Sequence, residues 1–269
     1  MKKILVVLVI FISLFLLIKR VGREEDRVVG LVAPEAVGVV SVSPLRGMIN
    51  VLKVAPEVEL WFPGGMGWYA ADRVEKIYDQ GKQEELVKEM FFYNFGIYPE
   101  VIIPVTKIDE WRNTTKFWKH LGLIESGRFW LEQSNWLLKT ELINTNLLVK
   151  KEELDDILPR DFARADLLEK NLRVTVKNSS GENALGAFVA DRLNWLGYNV
   201  VAVENDTVKD GCEVVSQGND LTKDHADYLA KMFGCSQVTN QALLAEELML
   251  NPGKNYASMI KYNSYVRAF

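Results

Sequence analysis

Hydrophobic and polar positions divide this chain into an apolar leader, a long mixed region and a regularly patterned C-terminal region. Ile4–Ile18 is an apolar run of fifteen residues broken only by Ser13, with Lys2 and Lys3 before it and Lys19 and Arg20 after it. A run with no polar face does not suit a soluble amphipathic helix. As a helix it covers roughly 22 Å, short of the ~30 Å hydrocarbon layer. The flanking Lys and Arg can snorkel to the interface and close that gap. A cleaved signal peptide is the competing reading, but Leu17-Ile18-Lys19-Arg20-Val21 stands where small residues are needed. The pattern predicts an uncleaved membrane anchor over residues 1–20. Positive charge on both flanks leaves the positive-inside rule nearly silent about its orientation.

After a charged linker (21–34 in all), β-branched runs at Val28–Ala33, Val37–Val42 and Met48–Val54 predict strands, the last two joined through Ser43-Pro44-Leu45-Arg46-Gly47 as a hairpin. Trp61–Tyr69 is rich in Gly and Pro and reads as irregular. Helical spacing marks Ala70–Gln80 and Lys82–Phe91, and Val101–Val105 predicts a buried strand. Residues 107–165 read as helices and loops with many aromatics, among them Trp111, Trp118, Trp130 and Trp136.

From Leu172 the pattern sharpens. Leu172–Lys177 predicts a strand, and Asn178-Ser179-Ser180-Gly181 a turn able to cap the helix Glu182–Leu196, which Gly197 ends. Tyr198–Glu204 and Cys212–Gln217 predict strands, and a helix opening at Asp220 stops at Gly234. Tyr256–Tyr262 reads as a last edge strand. The fold class expected is therefore α/β: an N-terminal transmembrane helix, a mixed-sheet α/β domain over 35–165, and a small C-terminal βαββαβ layer domain over 170–265.

Composition narrows the function classes. The chain has 269 residues and a formal net charge of −4, from 32 Lys+Arg against 36 Asp+Glu. Residues 171–265 hold eight Lys+Arg and eleven Asp+Glu, so a basic nucleic-acid footprint is missing there. Two cysteines and two histidines offer little for a metal site. Cys212, His225 and Cys235 match no zinc spacing, there is no HExxH or nucleophile elbow, and His120 and His225 stand in no recognisable triad setting. No cofactor is expected. Gly64, Gly65 and Gly67 lack the Lys-Ser/Thr of a phosphate loop, and Trp68-Tyr69 would crowd a nucleotide. Ser180-Gly181 at a helix start reads as a plain capping turn rather than an anion site.

The C-terminal region resembles a known family. Val174-Thr175-Val176-Lys177-Asn178, then Ser180-Gly181, then Leu193-Asn194-Trp195-Leu196-Gly197-Tyr198, with Ala226–Ala230 and Phe233-Gly234 later, is similar to the C-terminal domain of LytR-type cell-envelope proteins. Residues 37–158 more weakly resemble the catalytic domain of LytR–CpsA–Psr phosphotransferases, through Val39–Val54, Trp61–Tyr78, Glu84–Val105 and Thr145-Asn146-Leu147. The resemblance implies an outward-facing membrane protein that handles glycopolymer carried on polyprenyl pyrophosphate and delivers it to peptidoglycan or another acceptor. The family places Pro-Arg-Asp after its second hairpin strand, the Arg to grip pyrophosphate and the Asp to support metal and acid–base work. This chain has Ala55-Pro56-Glu57, and the next Arg is Arg73.

The expectation is thus a single-pass cell-membrane protein with a cytoplasmic N-terminus and an extracytoplasmic bulk. It binds cell-wall glycopolymer, polyprenyl-linked glycan or an envelope protein without catalysis, and takes no nucleic acid. A divergent phosphotransferase and an envelope-linked transcriptional attenuator are the alternatives. Trp61, Trp68, Tyr69 and Arg73 are the candidate ligand-binding residues, although the three rings suit a core beside a tight turn better than a ligand platform. No catalytic or metal-binding residue is assigned. Cys212 and Cys235 are expected to pair: a helix packed back along its strand returns to the strand's start, within the ~4.4–6.8 Å Cα separation a disulfide needs.

Overall fold

The computed structural model describes residues 26–260, apart from 44–45, 81–82, 115–131, 139 and 144–145. The expected anchor over Ile4–Ile18 lies outside these residues, as do Trp118, His120 and Trp130. Among the described residues no helix is long and apolar enough to cross a membrane.

The β-branched runs near the start become β1 (Arg27–Ala33), β2 (Ala36–Ser43) and β3 (Met48–Val54), an antiparallel meander. Strand therefore begins at Arg27, inside the stretch expected as linker. Further on come β4 (Glu59–Phe62), β5 (Gly67–Ala70), α1 (Val74–Asp79), α2 (Glu84–Phe95) and β6 (Val101–Pro104). Then follow β7 (Glu132–Leu137), β8 (Thr140–Ile143), β9 (Asn146–Val149) and α3 (Lys151–Ile157). β6 and β7 join the meander in parallel at either side, giving the mixed order β6-β1-β2-β3-β7. Both faces of this sheet are covered, which is why its strands read as continuous apolar runs rather than alternating ones. Val32, Val39 and Leu52 pack with Phe91 and Phe95 of α2 in one cluster, while Val29, Val40 and Val51 pack with Trp111 in another. Gly30 lets α2 approach the sheet, since a Cβ there would stand 3.0 Å from the Phe91 ring.

Two expectations for this region need correction. The Gly/Pro-rich stretch is regular at both ends: β4 and β5 pair as a hairpin, and Gly64, Gly65 and Gly67 supply the positive φ its loop demands. Residues 107–165, read as helices and loops, also contain the strands β7, β8 and β9.

In the second region α4 (Ala165–Lys170) leads to β10 (Arg173–Asn178), α5 (Leu185–Leu196) and β11 (Asn199–Asn205). These are followed by β12 (Glu213–Ser216), α6 (Asp220–Phe233), β13 (Ser236–Thr239), β14 (Glu247–Asn251) and α7 (Lys254–Met259). The sheet order is β11-β10-β14-β12-β13. The inward residues Val174, Val176, Leu248, Leu250 and Val214 meet Val189, Leu193, Ala226 and Leu229 of α5 and α6 in one core. The expected βαββαβ order is corrected to βαββαββα. Ser236–Thr239 and the central Glu247–Asn251, whose Leu248 and Leu250 alternate into the core, are strands, whereas the expected edge strand Tyr256–Tyr262 is helical over Tyr256–Met259. The Asn178–Gly181 turn does not cap α5, which starts later, after Ala184. Asn178 Oδ1 instead accepts from Ser180 N and Oγ at 3.2 and 2.6 Å and closes the turn on itself. The N-cap of α6 is Asn219, whose side chain accepts from Thr222 N at 2.9 Å.

Cys212, just before β12, and Cys235, just after α6, form a disulfide with Cα atoms 4.6 Å apart, as the antiparallel return of α6 requires. Ser236 N also donates to Cys212 O at 3.0 Å. The bridge closes a sequence separation of 23 residues. In the chain-entropy model its loss costs about 3 kcal/mol. We expect Cys212→Ser to lower unfolding stability by about that amount, whereas the wild-type chain, denatured without reductant, should titrate no free thiol; two free thiols would contradict the bridge.

Candidate functional site

The two regions do not sit apart. Trp61 of β4 and Phe92 and Tyr93 of α2 belong to the core of the C-terminal region, and Trp195 of α5 belongs in turn to the core around α2. Phe92 meets Phe233 edge-on at 5.0 Å between ring centroids. Gly96, in the left-handed conformation that ends α2, touches α5 so closely that a Cβ would stand 3.0 Å from the Trp195 ring.

Arg192 ties this seam together. Its position in α5 follows from spacing: four residues after Phe188 and four before Leu196, it falls on the buried face. It is 4% exposed. Its Nε and Nη2 donate to Tyr93 O at 3.2 and 2.7 Å, and Nη1 donates to Phe188 O at 3.3 Å. The guanidinium also stands over the Phe188 ring at 3.6 Å and the Trp195 ring at 4.8 Å. Tyr93 is in the last turn of α2, where carbonyls lack helical partners and a cation is favoured. Arg192 therefore acts as a C-terminal cap delivered from the other region.

A cavity of about 340 Å³ opens at the same seam. Its walls are Leu60 and Trp68 from the β4–β5 hairpin, Phe95 of α2, Leu148 and Leu154 from β9 and α3, and Phe188 and Trp195 of α5. Its polar groups are Glu59, Asn94, Lys151, Asp191 and Arg192. Lys151 Nζ bridges Asp155 and Asp191 at 3.0 and 3.2 Å, and Trp195 Nε1 donates to Asp155 Oδ1 at 2.9 Å. Burial works against the Lys151 charge, but these two carboxylates outweigh it and hold its pKa above the usual lysine range. Asn94 is fully engaged, donating to Trp61 O and Met90 O and accepting from Trp61 N. Glu59 differs: its Oε2 is buried with no hydrogen-bond partner among the described residues.

The sequence-predicted site residues are split between locations. Trp61 and Trp68 face each other across the hairpin, rings 5.4 Å apart, but Trp61 is buried in the shared core and only Trp68 reaches the cavity. Tyr69 points to the opposite side of the hairpin, edge-on to Phe62 at 5.7 Å. Arg73 is exposed beside Asp72 at 3.4 Å. The Asp72 N–Pro56 O bond of 3.1 Å sets its turn next to Ala55-Pro56-Glu57, where Pro56 and Glu57 are exposed. Among the described residues no group of three or more His, Cys, Asp or Glu side chains is arranged to hold a metal ion. The cavity walls come from six separate elements, so no local motif marks them in the sequence. Arg192, a charge on an apolar helix face, is the one signal that was there to read.

Comparison with known proteins bears on the second region first. Residues 171–256 match the family described as LytR cell envelope-related transcriptional attenuator. This segment is a LytR-type C-terminal domain. It supplies α5, and with it one wall of the cavity and the Arg192 clamp. A search of curated proteins finds no match. Among solved structures, Bacillus subtilis TagU is 7% identical, with 77% of this chain and 96% of that one covered at a TM-score of 0.26. Bacillus subtilis TagV is 9% identical over 79% and 99%, at 0.27. A LytR-CPS2A-psr family protein, YwtF (TagT), with bound octaprenyl pyrophosphate lipid, is 9% identical over 92% of each chain, also at 0.27. Likenesses at these scores carry no argument about the first region.

Two expectations follow from the seam. Arg192→Met leaves Tyr93 O without its donor and should destabilise the protein by about 2–3 kcal/mol in urea unfolding, and Arg192→Lys should not restore it, because a point charge cannot make the forked contact. Glu89, on α2, is half-buried, and burial followed by the charge of Glu85 raises its pKa above the usual carboxylate value. A raised carboxyl penalises the folded state once ionised, so stability contributed here is present at low pH and lost as pH rises through the folded pKa. Glu89→Gln should therefore raise the melting temperature at pH 7 and leave it nearly unchanged at pH 4; an unchanged midpoint at pH 7 would contradict the assignment.

Proposed function

We propose that the protein is a membrane-anchored, envelope-facing binding protein that seats the apolar chain of a polyprenyl-linked cell-wall glycan in the seam cavity and does not transfer the glycan. The observation that carries this reading is the wall of that cavity: aromatic and aliphatic side chains, shared between the LytR-type domain and the region before it. Such lining suits an apolar ligand fixed by a few polar groups. The partnerless Oε2 of Glu59 is available to a ligand hydroxyl. The cations nearby are already committed, Arg192 to backbone carbonyls and Lys151 to two carboxylates. Phosphoryl transfer needs several cations or a metal gathered on the leaving oxygens. An extracytoplasmic placement of everything after residue 20 is supported by the Cys212–Cys235 bridge, since disulfides persist in oxidising compartments.

The second reading, a divergent phosphotransferase, draws on the adjacency of Arg73 to Ala55-Pro56-Glu57. One experiment separates the two. The full chain in detergent is mixed with polyprenyl-pyrophosphate glycan and peptidoglycan, following tryptophan fluorescence and product together. Saturable binding without transfer is expected, with Trp68→Ala weakening it about tenfold, or ~1.4 kcal/mol, and Arg73→Ala leaving it unchanged. Transfer that stops on Arg73→Ala would establish the second reading instead.

A further inference from the structure

A second cavity, of about 300 Å³, flanks the contact between α2 and α5. Gly96 and Leu196 line it, where their neighbours Phe95 and Trp195 line the seam cavity. Asp26 and Val28, at the start of β1, form part of its wall. Residue 26 is six positions beyond residue 20, the end of the expected anchor. Six residues reach at most ~20 Å even when fully extended. An anchor ending at residue 20 therefore holds this cavity close to the bilayer surface.

The charges around it are unevenly committed. Lys88 Nζ is held by Glu84 and Glu85 at 3.0 and 3.1 Å, and Tyr98 OH donates to Glu85 Oε2 at 2.7 Å. Glu100 pairs with Arg27 at 2.5 Å. Lys231, exposed on α6, has no hydrogen bond or ion pair among the described residues. With the pairs counted as neutral, Arg164 and Lys231 stand against Asp26 alone in the lining. Tyr98 and Tyr228 stand beside these cations, and Tyr with Lys and Arg is the side-chain set that favours a membrane–water interface. We infer that this cavity takes the phosphate of an anionic phospholipid head group at the bilayer surface, with Lys231 as its free cation. Phe162 and Met232 offer apolar wall to the glycerol end. A choline head group fits less well, because the Arg164 guanidinium already lies over the Tyr228 ring, 5.0 Å from its centroid. The inference rests on the membrane-anchored part of the proposed function and not on glycan binding.

The test counts retained lipid. The full chain is purified in non-ionic detergent holding equal amounts of phosphatidylglycerol and phosphatidylcholine, and lipid per chain is measured by mass spectrometry. Phosphatidylglycerol should be retained in preference. Lys231→Glu should lower its retention at least ~5-fold. Lys223→Glu changes the charge of the same helix equally, but Lys223 forms no part of the cavity wall, so retention should stay as in the wild type. Both lysines are exposed, so the thermal transition should survive either change. An excess of inorganic phosphate should not displace the lipid. Glycan binding, followed by tryptophan fluorescence, is a separate titration, so failure there and failure here are told apart. Equal retention of the two lipids overturns the proposal. So does a Lys231→Glu chain that retains as much as the Lys223→Glu chain, or displacement by phosphate, which would give the cavity to a soluble anion.

Discussion

A buried guanidinium is costly unless its donors are used, and Arg192 uses them on carbonyls rather than on a counter-ion. Tyr93 O, near the end of α2, receives two of its N–H groups, and Phe188 O a third. The end of a helix carries partial negative charge on carbonyls without helical partners, so the cation and the helix end satisfy each other. Much else at the seam depends on that contact. It sets α5 against α2 closely enough that Gly96 must lack a side chain, and it keeps Phe92 on Phe233 and Trp195 beside Phe95. Removing the charge would orphan a carbonyl and loosen the wall of the cavity in the same step.

The cavity is therefore a property of the docking and of neither region alone. Its lining comes from the β4–β5 hairpin, α2, β9, α3 and α5, and the Lys151 bridge from Asp155 to Asp191 crosses the same boundary. A shift of α5 along α2 by even one side chain would move Phe188 and Trp195 together, because both rings stack on the Arg192 guanidinium. Packing at interior density resists such small shifts, which makes the seam a defined surface rather than a loose inter-domain cleft.

Legibility in the sequence followed the range of the interactions. The meander β1–β3 could be read because both of its faces are buried, leaving long β-branched runs, and α5 and α6 because each has one buried face and a glycine stop. The disulfide could be anticipated from the lengths of β12 and α6. What was missed depended on distant partners. Glu247–Asn251 is short, and only its insertion between β10 and β12 makes it a central strand. The loop glycines at 64, 65 and 67 suggested disorder of pattern, whereas they shape a hairpin turn. Of the four ring and Arg candidates, strand alternation alone separates Trp68 from Tyr69, since neighbours on a strand face opposite sides; the register that fixes which side is the cavity is not a local property.

The same geometry bears on why the position of Ala55-Pro56-Glu57 is compatible with a binding role. That turn follows β3 at the surface, with Pro56 and Glu57 exposed and Arg73 reaching solvent next to it. Exposed charges in high dielectric grip an anion weakly, because each interaction is screened by water and salt. The seam offers the opposite environment, with apolar walls, committed cations and one partnerless acceptor in Glu59 Oε2. An apolar chain entering it gains from leaving water without displacing an ion pair. A pyrophosphate entering it would have to separate Lys151 from two carboxylates. In the proposed reading, then, recognition rests on the lipid portion of the ligand, and its charged linkage stays at the rim.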